Sequence, residues 1–229
     1  MKIKGFKILA VPVILTIVLA TGAAASAQAT NWVQNPEFTP STSLPSCGLC
    51  YAYAAPGTGD FIVPDWTFSP LINYASGSGI AGQGSNFGFA APPSGAPQVA
   101  FVQLGTALDP ASVSQTITGL TVNNVYDLTF YLEGRLSTGA PATTVSIGVG
   151  DTVLAGVVPP TVWTFYNYDF TATSTSETLE FSSLQTQDTT TAIDDPSITL
   201  VPEGGASLLY LLLAGITCFG TMRLSTRTA

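Results

Sequence analysis

Along residues 125–132, VYDLTFYL, apolar and polar positions alternate. Tyr126, Leu128, Phe130 and Leu132 fall on one side of an extended chain, and Asp127, Thr129 and Tyr131 on the other. Successive side chains of a strand point to opposite faces, so the pattern predicts a strand with one face on a core and the other nearer solvent. Shorter runs of strand-forming residues recur at 98–104 (QVAFVQL), 112–118 (SVSQTIT), 144–149 (TVSIGV), 162–170 (VWTFYNYDF), 177–182 (ETLEFS) and 192–200 (AIDDPSITL). Turn-forming clusters separate them: GLTVNN before the central strand, GRLSTGAPA after it, GVVPP before Trp163. No stretch of about ten residues or more places apolar positions at helical spacing. The expected fold is therefore all-β, an antiparallel β-sandwich of the jelly-roll kind. Pro196 cannot donate to a strand ladder, which predicts an edge or a bulge in the last run.

Two long irregular stretches interrupt this pattern, 39–60 and 73–97. The second holds Tyr74, Asn86, Phe87 and Phe89 among glycines and prolines. It reads either as part of a binding surface or as a cover over one end of the sandwich. The two ends of the chain have a different character. Lys2, Lys4 and Lys7 precede an apolar run from Ile8 to Ala20, and small residues follow at 25–29. This is the layout of a secretory signal peptide, expected over residues 1–27, and the run is too short to span a bilayer. At the other end, 206–222 is uncharged and Arg223 and Arg227 follow. As a helix it would measure about 25 Å, barely enough to anchor, with the arginines on the cytoplasmic side.

Between these ends lies a stretch of about 175 residues, the size of one domain with a core of its own. All fourteen acidic residues lie between Glu37 and Glu203, against Arg135 as the one basic residue there, a net charge of −13. Such a domain repels phosphate backbones and anionic lipid, which excludes nucleic acid and leaves divalent cations and neutral ligands open. The chain has no histidine, so triad-type and zinc-type catalysis are not expected. Cys47 and Cys50, as CGLC, suit a short structural disulfide in an exported protein. A redox pair is the other reading, although no helix-start context is visible in the sequence.

Further candidates lie near strand ends. Asp194 and Asp195 are adjacent and so point to opposite faces of a strand. One of them suits a hard cation such as Ca²⁺, or both are solvated turn residues. Glu133 and Arg135 are two apart; they read as members of an ion pair or as a polar clamp on a sugar hydroxyl. Trp32, Trp66 and Trp163 read first as core. Tyr51, Tyr53, Asn86 and Phe87 are the loop side chains best suited to a ligand.

Two resemblances add to this reading. Val201, Pro202 and Glu203, followed by two glycines, an apolar segment and an arginine-containing end, resemble the PEP-CTERM sorting signal, here residues 201–229. That resemblance implies export in a Gram-negative bacterium, transient anchoring in the inner membrane, and an exosortase as partner. The exosortase would cut near Pro202-Glu203 and pass the protein to the cell surface or the exopolysaccharide matrix. Residues 31–200 resemble jelly-roll carbohydrate-binding modules with a galactose-binding-like fold, through NWVQNPEFTP, VPDWT, QVAFVQ, SVSQTITGLTVNNVYDLTFYLEGR and AIDDPSITL. This resemblance implies a domain over residues 30–200, a structural Ca²⁺ near Glu37 or Thr39 and Asp195, and binding to extracellular polysaccharide without catalysis. The alternatives are a structural or adhesive surface protein dependent on Ca²⁺, and a glycoside hydrolase using Glu133.

Overall fold

The computed structural model describes residues 29–41, 51–53, 62–69, 77–103, 110–136, 144–183 and 188–202. The signal peptide, Cys47, Cys50, Glu203 and the apolar tail lie outside them.

Eleven strands are described: β1 (Tyr51–Tyr53), β2 (Thr67–Phe68), β3 (Gly77–Gly82), β4 (Gln98–Gln103), β5 (Ser112–Thr118), β6 (Val125–Gly134), β7 (Val145–Val149), β8 (Thr152–Val157), β9 (Thr164–Thr171), β10 (Ser176–Ser183) and β11 (Thr190–Leu200). They pair throughout as antiparallel neighbours in two sheets, ordered β1-β3-β4-β11-β6-β9 and β2-β5-β10-β7-β8. The expected all-β sandwich is the architecture observed. Leu128, Phe130, Leu132, Ile193 and Ile198 of the first sheet share one buried cluster with Val113, Ile117, Ile147, Leu179 and Phe181 of the second. Phe130 of β6 meets Phe181 of β10 edge to face across the interface, ring centroids 5.1 Å apart. Burying such side chains from both sheets drives the pairing of the two layers.

The segment before β1 is stitched to the end of the sandwich by polar side chains. Asn31 Oδ1 accepts from Val33 N–H and Ile198 N–H, and Trp32 N–H donates to Ile198 O. The buried Gln115 amide bonds Gln34 through both its ends, at 2.8 Å each. Of the three tryptophans, Trp66 is buried against Phe38 and donates to Asn35 O, whereas Trp32 and Trp163 are only partly buried.

Four strands lie outside the runs expected as strands. β1 falls inside 39–60, and β3 takes the first part of 73–97, leaving 83–97 as the irregular remainder. β2 follows Trp66, and β8 occupies the stretch before the prolines. Pro196 lies not at an edge but in a central strand, where the register of β11 against β6 shifts between Asp194 and Ser197. The bulge half of the expectation is what the fold uses, and Asp195 takes a positive φ of 49° within it.

The glycine content of β3, GSGIAG, has a physical cause at Gly79. A Cβ there would overlap the backbone carbonyl of Ala52 in β1 and press on the Phe101 ring. Gly79→Ala is therefore expected to push β1 off the sheet edge at a cost of about 1–3 kcal/mol. A lowered urea midpoint with increased solvent exposure of Tyr51 and Tyr53 by ultraviolet difference spectroscopy would show it; an unchanged midpoint would contradict it.

Candidate functional site

Because β6 alternates, its odd positions leave the core and line the outer face of the six-stranded sheet. Register then sets their neighbours: Asp127 lies opposite Asp169 of β9, Thr129 opposite Asn167 and Tyr131 opposite Phe165. On the other side β11 places Thr199, Ser197 and Asp194 against the same three residues. The outer face is thus a grid of side chains on three strands spaced by about 4.8 Å.

One half of this face is covered. The 83–97 segment folds back over β3, β4 and β11, and its Phe87 and Phe89 are buried with Val99, Phe101 and Ala192 in a second apolar cluster. Tyr51, Tyr53 and Trp163 pack on its rim. Phe87 touches Tyr51, Phe89 and Phe101 with ring centroids 4.6, 5.6 and 5.0 Å away. Two fully buried carboxyls of the sheet hold the segment down. Glu133 Oε2 accepts from Ala90 N–H at 3.0 Å, and Asp194 accepts from Ser94 N–H at 2.9 Å and from the Ser94 hydroxyl at 2.8 Å. Trp163 Nε1–H donates to Ala90 O at 3.2 Å, and Leu136 N–H to Phe87 O.

Burial dominates the electrostatics of this cover. It pushes the Glu133 carboxyl up to about 7, against the opposing pull of the Ala90 N–H, and Glu133 Oε1 has no hydrogen-bond partner among the described residues. Asp194 is raised too, chiefly by burial, with its Ser94 bonds working the other way. Burial, then the neighbouring Tyr51 and Asp188, also raises the Tyr53 phenol.

The other half of the face is open. Tyr131 and Phe165 meet edge to face at 5.3 Å, and Phe165 is 52% exposed. Beyond them run Thr129 and Asn167, then the Asp127–Asp169 pair. The Asp127 carboxyl is raised by burial first and by Asp169 second, and is lowered by its bond to Asn167. Two aromatic rings at one end of a strip of hydroxyl, amide and carboxylate groups can stack on the apolar face of a sugar ring and exchange hydrogen bonds with its hydroxyls.

The residues singled out from sequence fall into different places. Tyr51 and Tyr53 were expected in an exposed loop; they form β1 and pack half-buried against Phe101 and Phe87. Tyr53 O–H donates to Gln103 Oε1. Phe87 and Glu133 are buried in the cover rather than offered to a ligand, and Asn86 is exposed on it. Arg135 pairs with Asp188 at 3.1 Å and lies over the Phe87 ring at 5.2 Å, which makes it a strut of the cover. The open strip of Asp127, Thr129, Tyr131, Phe165, Asn167 and Asp169 was not singled out. Its signal was the polar half of the β6 alternation, but only strand pairing adds the β9 residues.

For the cation, the structure brings Asp195 and Glu37 near each other. Asp195 is raised by burial and then by the Glu37 charge. Thr39, by contrast, is tied to Asn35, whose side chain accepts from Thr39 N–H and donates to Thr39 O. No group of three or more acidic, histidine or cysteine side chains suited to a metal occurs among the described residues. Two carboxylates supply only part of the six to eight oxygens Ca²⁺ takes, and backbone carbonyls or water would have to supply the rest.

A family profile described as "Protein of unknown function (DUF642)" matches residues 31–199. No curated protein matches the chain. Among solved structures, the chain is similar to the CBM22-1 xylan-binding domain of Paenibacillus barcinonensis Xyn10C, with a TM-score of 0.46, 12% identity and coverage of 77% of this chain and 97% of that one. It is similar to the family 16 carbohydrate binding module-2, with a TM-score of 0.38, 17% identity and coverage of 58% and 89%. It is also similar to the enzymatically active domain of tailspike protein 4 of bacteriophage CBA120, with a TM-score of 0.43 and 14% identity. That match covers 60% of this chain and 20% of the phage chain, so this chain spans about a fifth of that relative. None of these likenesses is close enough to assign an activity.

Proposed function

The chain belongs to the DUF642 family, and on that premise we propose that it is an exported, non-enzymatic protein that binds neutral extracellular polysaccharide on the open half of its six-stranded sheet. The observation that carries this reading is the Tyr131–Phe165 ring pair, solvent-facing and in register with a polar strip on the same two strands. An acidic exterior suits an uncharged polymer better than an anionic one. Glu133 and Asp194, diagonal neighbours on β6 and β11, are the carboxyls a hydrolase would draw on. Both are fully buried and engaged with backbone N–H groups of 83–97, which favours binding over catalysis. Routing to the cell surface by an exosortase rests on the Val201-Pro202-Glu203 signal. Val201 N–H still pairs with Val125 O at the end of the sandwich, so a cut after this point would leave the described fold intact.

Affinity electrophoresis of the protein in gels containing xylan or mixed-linkage glucan tests the reading. Tyr131→Ala and Phe165→Ala are each expected to weaken retardation by about tenfold, roughly 1.4 kcal/mol of lost stacking. Wild-type mobility unchanged by every neutral polysaccharide, or variants retarded like wild type, would overturn it. Mass spectrometry of the mature C-terminus checks the routing: a terminus near Pro202-Glu203 supports it, and an intact Arg227 overturns it.

A further inference from the structure

The opposite side of the sandwich carries a second surface that the open strip does not explain. On β10 the positions that leave the core are Thr178, Glu180 and Ser182. Their partners across β5 are Thr116, Ser114 and Ser112, and across β7 Glu180 and Ser182 face Gly148 and Ser146. Three neighbouring strands thus turn a sheet of hydroxyls outward around one carboxylate. A groove of about 350 Å³ is cut into it, floored by β7 and β10 and walled by Gly150, Asp151 and the first two residues of β8.

Three features mark this as more than an ordinary wet sheet face. First, Ser182 is only 8% exposed yet lines the groove. A hydroxyl set into a cavity wall offers both a donor and an acceptor to an incoming group. Second, the floor is low because Gly148 has no side chain. Gly156, which extends the same face opposite Ser146, is a glycine whose Cβ would meet nothing within 4 Å; packing does not require it, and its effect is to leave the sheet surface bare. Third, the side chains of the lining are hydroxyls, two carboxylates, Asp151 and Glu180, and one exposed apolar group, Val153, with no basic group. That chemistry repels anions and accepts hydrogen bonds from neighbouring hydroxyls of a neutral ligand.

We propose that this groove is a second carbohydrate site, taking an uncharged, extended polysaccharide by hydrogen bonds alone, so that the two faces of the sandwich hold two chains at once. The strand spacing of about 4.8 Å is close to the length of one pyranose ring, so a chain lying along the Ser112–Ser182–Ser146 row meets a hydroxyl on each strand. With no aromatic ring in the lining, each contact is weak and the site depends on an extended ligand. A protein with sites on opposite faces cross-links polymers, which a single site cannot do.

The polysaccharide ligand is shared with the reading above, but the site is separate, and the test distinguishes them. Full-length protein is mixed with soluble xylan or mixed-linkage glucan, and cross-linking is followed by light scattering alongside affinity electrophoresis. The variants are Thr178→Val with Glu180→Gln, which remove a hydroxyl and a charge at nearly constant shape, and Tyr131→Ala with Phe165→Ala on the other face. Wild type is expected to raise scattering severalfold. The groove variant is expected to keep gel retardation within about twofold and lose the rise in scattering. The ring variant should retain weak retardation that adding the groove substitutions removes. Cross-linking by the groove variant equal to wild type, or complete loss of retardation in the ring variant alone, would overturn the second site and leave the first standing. Retardation abolished by the groove substitutions and untouched by the ring substitutions would establish the groove and overturn the first. Absence of any polysaccharide binding by wild type overturns both.

Discussion

Phe130→Ala is expected to lower the stability of the sandwich by about 3–5 kcal/mol, read as a shift of the urea midpoint at unchanged slope. Phe130 is fully buried at the centre of β6. Its ring stacks on Tyr166 and Tyr168 at 5.7 and 6.0 Å and meets Phe181 edge to face from the opposite sheet. Removing it opens a cavity bounded by rings on two β9 positions and one β10 position, and rigid strands on both sides limit how far it can collapse. The functional consequence is separable, because Phe130 points away from the face that Thr129 and Tyr131 line. Under conditions where the variant is still folded, its polysaccharide affinity is expected to match wild type, whereas Tyr131→Ala should lose affinity with little loss of stability. Equal stability losses for the two substitutions would show that Tyr131 is a packing residue and would remove the basis of the proposed binding strip.

That separation follows from a pattern visible in the sequence. The eight residues VYDLTFYL announce both faces of β6, and the structure keeps each side chain on the face the alternation assigns. Seven strands are legible in this way, since β-branched and aromatic residues recur between clusters of turn formers. The strands that are not legible have local sequences that argue against them. β3 is half glycine because β1 approaches its backbone at Gly79, a tertiary requirement that no local propensity encodes. β1 is three residues long, and β8 reads as a continuous small-apolar run before a pair of prolines.

The site was legible only by halves for a related reason. Asp127, Thr129 and Tyr131 share a face by period alone, but Asn167, Asp169 and Phe165 join them only once β9 pairs with β6. Glu133 shows the limit most clearly. Its position on the polar side of β6 predicts exposure, and it would be exposed if the 83–97 segment did not fold back and bury Phe87 and Phe89 on Phe101. Long-range burial, not local pattern, turns a surface glutamate into an interior one.

This burial gives stability an unusual pH dependence. The Glu133 carboxyl moves from an ordinary 4.5 up to about 7 in the folded protein. A raised folded-state value means that the native state binds the proton more tightly than the unfolded chain does. The stabilisation is complete below about 4.5 and is lost as pH rises through about 7. A shift of this size corresponds to about 3 kcal/mol. Asp127, Asp194 and Asp195 are also raised, mainly by burial, so their contributions have the same sign. Stability is therefore expected to fall by about 3 kcal/mol between pH 5 and pH 8, the reverse of a protein whose carboxylates are held low by ion pairs. Glu133→Gln should flatten most of that slope. The amide keeps an oxygen to accept from Ala90 N–H but places an NH₂ where Oε1 has no partner among the described residues, a cost of about 1 kcal/mol or more. The two stability curves should cross, with wild type the more stable near pH 5 and the variant the more stable near pH 8. Urea titrations at four or five pH values would trace both curves. A wild type that gains stability from pH 5 to pH 8, or a variant with an undiminished slope, would mean that Glu133 is ionised in the fold and that the 83–97 cover does not exclude water from it.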